Sequence, residues 1–190
     1  MRKVITGFLV VFGVVAAATG SACSAGNEAN APRTVASVDL ERYAGLWYEI
    51  AKIPNRFQRT CDSGTTAEYV LRDDGRIGVV NRCRKADGEV IETSGVARVV
   101  DADTGAKLEV SFVSLLGLQL FWGDYWVIGL DDGYRWAVVG HPERRYGWVL
   151  ARSPSLAPGQ WEAIRALLVG QGYDPDDFEM TRHDGAAAGS

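Results

Sequence analysis

Only three cysteines and two histidines occur among the 190 residues, which leaves little room for a cysteine-rich or histidine-rich metal cluster. A basic excess is missing as well: 20 Lys and Arg face 24 Asp and Glu, for a net charge of −4. A nucleic-acid binder would usually carry a positive surplus or stripe. The chain has no Gly-x-Ser-x-Gly elbow, no His-Glu-x-x-His pair and no Gly-x-x-x-x-Gly-Lys phosphate loop. No catalytic residue is therefore assigned. Disorder is excluded by what is present, namely six Trp, seven Tyr and six Phe in a chain that is 47% hydrophobic. One domain is expected, since about 150 residues suffice to bury a sizeable core.

Residues 1–22 read as a leader outside the fold. Arg2 and Lys3 precede an apolar run from Val4 to Ala18, and Thr19-Gly20-Ser21-Ala22 lead into Cys23. This is the layout of a secretory signal peptide, too short for a comfortable membrane span. A cysteine directly after small residues resembles a bacterial lipobox, in which cleavage precedes the Cys and its thiol receives lipid. Gly20 stands where a Leu is usual, so soluble export after cleavage near Ala22 or Ala25 stays open. Removing the leader deletes Arg2 and Lys3 and no acid, which leaves 18 basic against 24 acidic residues, or −6. Residues 23–37 read as a flexible tether, residues 38–182 as the folded domain and residues 183–190 as a disordered tail.

In an exported chain, Cys61 and Cys83 become candidates for a disulfide. They flank two strand-like runs around Asp73-Asp74-Gly75, and a tight hairpin there brings them together across its far end. The bridge would close a loop of about 20 residues, worth roughly 3 kcal/mol in the chain-entropy model.

Hydrophobic alternation predicts eight strands, at 47–53, 65–72, 76–83, 89–100, 107–113, 124–131, 134–140 and 146–152. One helix is expected after Pro158, with Trp161, Ile164, Leu167 and Leu168 on one face, ended by Gly170 and Gly172. A short strand near residues 177–181 follows. The second, fourth and sixth connections are short, acidic and contain glycine, whereas the first and fifth are long. Alternate connections of a meander lie at the same end, so one end is tight and the other can be open. The expected fold is all-β: an eight-stranded antiparallel up-and-down β-barrel with the C-terminal helix packed outside, able to hold one small ligand.

Three motifs in order carry a family resemblance. Gly45-Leu46-Trp47-Tyr48-Glu49-Ile50 resembles the Gly-x-Trp signature that opens the first strand of lipocalins. Tyr125-Trp126-Val127-Ile128-Gly129-Leu130-Asp131 is similar to their second characteristic region. Leu150-Ala151-Arg152-Ser153-Pro154 resembles the third, whose arginine packs across the signature tryptophan at the closed end. Tyr69-Val70-Leu71-Arg72-Asp73-Asp74-Gly75, followed by Val79-Val80-Asn81, is especially similar to bacterial lipocalins of the apolipoprotein D-like kind. The resemblance covers residues 38–181. It assigns Gly45, Trp47 and Arg152 structural roles, and a guanidinium stacked on an indole would gain on the order of 0.5–2 kcal/mol.

A ligand would meet one parity of each strand. Ile77 and Val79 share a face, as do Leu108, Val110 and Phe112; Tyr125 and Trp148 are the choices on two later strands, joined at the mouth by Leu118 and Phe121. The same side chains could instead fill a solid core. The pairs Asp73-Asp74 and Asp131-Asp132 precede glycines and read as turns. His141, before Pro142, reads as a solvated loop histidine, with haem or metal ligation as the alternative.

The resemblance implies a bacterial envelope protein that binds, stores or transports a fatty acid, lysophospholipid or similar amphiphile for membrane maintenance, without a cofactor. It also implies a membrane contact through a lipid anchor, an outer-membrane or otherwise periplasmic or secreted location, no nucleic-acid partner, and a possible homodimer. Two other classes stay open: a lipocalin-type enzyme using a free cysteine, and a haem or pigment carrier using His141. Residues 114–123 hold Leu115, Leu116, Leu118, Leu120, Phe121 and Trp122 without a charge, although connections ordinarily run polar over a surface. That loop is expected to rim the mouth and touch membrane or an incoming acyl chain. Folding inward as a cap, or packing on a second subunit, is the alternative.

Overall fold

The alternating segments close into a ring in the computed structural model, which describes residues 30–115 and 118–183. In chain order a four-residue helix, α1 (Leu40–Tyr43), precedes β1 (Gly45–Lys52), β2 (Ser63–Leu71), β3 (Ile77–Arg84), β4 (Val90–Val99) and β5 (Lys107–Ser111). A small hairpin of β6 (Val113–Leu115) and β7 (Leu118–Leu120) interrupts the meander. It resumes with β8 (Gly123–Leu130), β9 (Trp136–Gly140) and β10 (Gly147–Ala151), followed by α2 (Gln160–Gly170) and β11 (Glu179–Met180). Strands β1–β5 and β8–β10 pair antiparallel with their neighbours, and β10 returns to β1 with Tyr48 opposite Ala151. The barrel is therefore closed, with eight strands and a C-terminal helix outside, as the alternation and turn pattern led one to expect.

Turn chemistry fixes the tight end. Gly75 sits at a φ of 76°, which costs a glycine little, and its N–H donates to Arg72 O. In the β8–β9 turn, the Asp131 carboxylate accepts from the Gly133 N–H and from the Arg135 guanidinium. The Arg135 hydrogen bonds hold its pKa down at about 2. These turns are structural, as the glycines after each Asp pair imply.

Pleating sorts the apolar residues into two layers. The inner set includes Trp47, Tyr69, Ile77, Val79, Leu108 and Val127. The outer set belongs to α2, whose Ile164 and Leu168 are fully buried against Ile50, Ile128, Val138 and Val149. The helix can lie this close because residue 129 is glycine: a Cβ there would come 2.7 Å from Leu167 Cδ1.

Both ends of the folded domain differ from expectation. Residues 30–37, read as part of a tether, lie against the barrel. The Arg33 N–H donates to Gln171 Oε1, Gln171 Nε2 donates back to Arg33 O, and the Val35 N–H donates to Val127 O. Composition misses this because the strap is held by backbone groups. At the other end, β11 pairs with β1, and Ser63 bridges Arg182 in parallel. The C-terminal segment thus fills the gap where β1 and β2 separate near the mouth. His183 was assigned to a disordered tail; instead its ring bonds Glu49 O at 2.7 Å and packs edge-on to Tyr48. The leader, Cys23, the tether as far as residue 29, and residues 184–190 lie outside the described residues.

Candidate functional site

A cavity of about 530 Å³ occupies the barrel. Its closed end is a plug built from one local sequence. α1 starts on Asp39, whose carboxylate accepts the N–H groups of Glu41 and Arg42, an N-cap that anchors a very short helix. The Trp47 indole N–H then donates to Tyr43 O at 2.7 Å. Arg152 lies with its guanidinium 3.9 Å from the Trp47 ring centroid and donates to Leu46 O, Arg42 O, Tyr43 O and Ala44 O. Gly45, at a φ of 92°, brings the backbone beneath that guanidinium.

Ile77, Val79, Leu108 and Val110 line the cavity, as the period-two reading placed them. Phe112, Tyr125 and Trp148 line it too, with Phe121 at the rim. The structure therefore has a hollow interior among these residues, in place of the solid-core alternative. Phe112 lies beyond the end of β5, which stops at Ser111. Its ring covers Gly95, where a Cβ would approach Phe112 Cδ1 to 2.5 Å. Leu118 is not among the lining residues and stands 69% exposed on the hairpin.

Several polar lining residues escaped the sequence reading. Tyr43, Tyr69 and Tyr125 meet in the lower cavity, the Tyr125 hydroxyl lying 2.9 Å from each of the other two. Burial raises all three pKa values, that of Tyr69 to about 12. Glu49 is buried in the wall, held by Gln58 Nε2, the Thr181 hydroxyl and the Lys52 ammonium at 2.5, 2.6 and 3.2 Å. Thr65 Oγ1 is buried with no hydrogen-bond partner among the described residues. The available signal was parity: Glu49 shares the face of Trp47, and Thr65 and Tyr69 share a face of β2. Tyr43 had no such signal, because it precedes the first strand.

His141 is not the solvated loop residue expected. It is buried against Tyr146, its Nδ1 accepts the Glu143 N–H, and Nε2 lies 3.8 Å from Asp124. Desolvation lowers its pKa despite the opposing charge of Asp124. No group of three or more His, Cys, Asp or Glu suited to a metal occurs among the described residues. Cys61 and Cys83 form a disulfide, so neither offers a free thiolate for the enzyme alternative.

The mouth is apolar. Phe57 in the β1–β2 loop and Phe121 after β7 are 63% and 81% exposed, and Val113 and Leu115 are exposed as well. The connection expected as a loop is a two-stranded hairpin that pairs Val113 with Leu120. Leu115, Leu118 and Phe121 are exposed on it, while Val113 and Phe121 also line the cavity. Ser111 anchors it, its hydroxyl donating to Leu120 O. Trp122 turns away and stacks beneath Arg98, 4.2 Å from the guanidinium carbon. Among the described residues no helix is long and apolar enough to cross a membrane.

Comparison with known proteins is consistent with this geometry. A family model described as a lipocalin-like domain matches residues 38–183. The outer membrane lipoprotein Blc of Citrobacter freundii is 36% identical over 178 residues, covering 93% of this chain and 97% of that protein. Apolipoprotein D of Macaca fascicularis is 30% identical over 180 residues, 89% of each chain. Among solved structures, insecticyanin from the tobacco hornworm Manduca sexta superposes with a TM-score of 0.65 at 23% identity, over 82% of this chain and 86% of that one.

Proposed function

The chain belongs to the lipocalin family, and from that premise we propose that it binds a lipid in the barrel of the bacterial cell envelope. The observation that carries this reading is the cavity itself: about 530 Å³, walled mainly by apolar side chains, plugged at one end and open under an apolar rim at the other. Its size falls within the range typical of small-molecule sites. Moving an acyl chain from water into such a space gains roughly 0.8 kcal/mol per CH₂ before ordering costs are subtracted. Fatty acids and lysophospholipids fit this chemistry, and membrane maintenance is the corresponding role. The protein does not act as an enzyme on this reading.

The β6–β7 hairpin is the element that meets membrane or incoming lipid. Its exposed Leu115, Leu118 and Phe121 would otherwise rest in water, and an apolar rim of this kind marks an interaction surface. Fatty-acid transfer from vesicles tests both parts. Ala67→Trp, which sets an indole into the cavity wall, is expected to weaken binding by about tenfold or more. Leu118, Leu120 and Phe121 replaced together by Ser should leave equilibrium affinity near wild type but slow uptake by about three- to tenfold. Undiminished binding by folded Ala67→Trp would remove the barrel as the site, and unchanged uptake by the triple variant would remove the hairpin from the entry path. Native mass spectrometry of the purified protein identifies any retained ligand directly.

Cys23 is proposed as the lipid-bearing residue, which suits both its small-residue context and the similarity to an outer membrane lipoprotein. Fractionation of cells producing Cys23→Ser should find the protein released from membranes. Continued membrane association would reject the anchor.

A further inference from the structure

The lower cavity contains a hydrogen-bond donor that the protein leaves unused. Tyr43, Tyr69 and Tyr125 bring three hydroxyls together, yet only two bonds join them, both at the Tyr125 oxygen. Each hydroxyl owns one proton, and each bond consumes one. Whichever way the two bonds run, one O–H is left over, and no other partner of these oxygens is found among the described residues. Tyrosine hydroxyls are protonated at neutral pH, and burial pushes the pKa of all three higher still.

A second unused polar atom lies nearer the mouth. Thr65 is 6% exposed and lines the cavity, and its hydroxyl has no partner among the described residues. Four residues separate it from Tyr69 along β2, roughly 13 Å at the rise of a strand. Between them the lining is Ala67 on β2 and Asn81 opposite it on β3, with Val79 level with Tyr69. A saturated alkyl end pushed to the floor would leave the surplus donor without an acceptor, at a cost comparable to any unpaired buried donor.

We propose that the barrel accommodates oxygenated acyl chains, hydroxy- or oxo-fatty acids whose inserted end carries an oxygen that accepts the surplus tyrosine proton. This rests on the lipid-binding reading above and adds a chemical class to it. The chain fills the cavity between the two, and Thr65 supplies a polar station on the way to the mouth.

Titration calorimetry with saturated fatty acids of twelve to sixteen carbons, and with their ω-hydroxy counterparts, tests the proposal. Burying a hydroxyl without a partner should weaken binding by about ten- to a hundredfold. In the wild-type protein, at the best-fitting length, the ω-hydroxy acid is expected to bind within about fivefold of its parent or tighter. In Tyr43→Phe/Tyr69→Phe/Tyr125→Phe, which keeps the rings and removes every hydroxyl, the ω-hydroxy acid should fall about tenfold or more behind its parent. A penalty above about fivefold in the wild type at every length would overturn the proposal, as would an unchanged ratio in the folded triple variant. Should that variant fail to fold by circular dichroism, the wild-type ratio decides alone. If neither acid binds the wild type at any length, the lipid-binding reading itself falls, and the proposal falls with it.

Discussion

Trp47→Ala is expected to cost the fold about 3–5 kcal/mol, the range for truncating a buried aromatic residue. The indole is fully buried, at 0% exposure. Its N–H is bonded to Tyr43 O, its face is covered by Arg152, and its ring lies 4.9 Å from the Tyr43 ring, tilted by 35°. Removing it opens a void at the closed end and strips Arg152 of its platform while four carbonyls still hold that guanidinium in place. Arg152→Ala should cost less, about 2–3 kcal/mol. Its hydrogen bonds are partly exposed, although the stacking on Trp47 is lost and the carbonyls lose a charged donor. Urea titrations of both variants check the order and the size. A loss below about 1 kcal/mol for Trp47→Ala would show that the plug merely occupies the barrel base rather than holding it shut.

Replacing Cys61 and Cys83 together by Ser should cost roughly 3 kcal/mol. The disulfide joins residues 22 apart in sequence, and constraining a loop of that length in the unfolded chain accounts for that figure in the entropy model. The bridge ties the end of the β1–β2 loop to β3, in the wall of the mouth. The variant should therefore lose stability and free its mouth loop together. Denaturant unfolding with and without reductant gives the first quantity, and hydrogen exchange of residues 53–62 gives the second. A stability change below about 1 kcal/mol would mean that the unfolded chain gains little freedom when the bridge is absent.

The strand order was legible because nearly every wall segment alternates. Leu108 and Val110, or Ile77 and Val79, announce an inward face without help from the rest of the chain. Boundaries blurred where alternation fails. Bulges between Glu49 and Ala51 and between Val127 and Gly129 shift the face, so that Ala51 joins the outer layer with Ile50. The hairpin of β6 and β7 was invisible for a different reason: its leucines look alike on both faces, and only pairing to each other decides the register. The tyrosine trio was hidden because it unites α1, β2 and β8, three segments far apart in sequence. His141 was misread since a loop position beside proline normally signals exposure, and tertiary packing under Tyr146 overrode that local rule.

The last stave of this barrel has a consequence for how the chain is made. β1 emerges early from the ribosome, but its partner on one edge is β10, roughly a hundred residues downstream, and β11, later still, completes the other edge beyond β2. Until those segments appear, β1 has only β2 to pair with, over residues 45–48. An incomplete chain thus carries an unpaired strand edge for most of its synthesis, the condition that favours wrong partners. The ring can seal only when translation is almost finished. A protein threaded through a membrane before it seals would cross as an open, pliable chain and lock only on the far side.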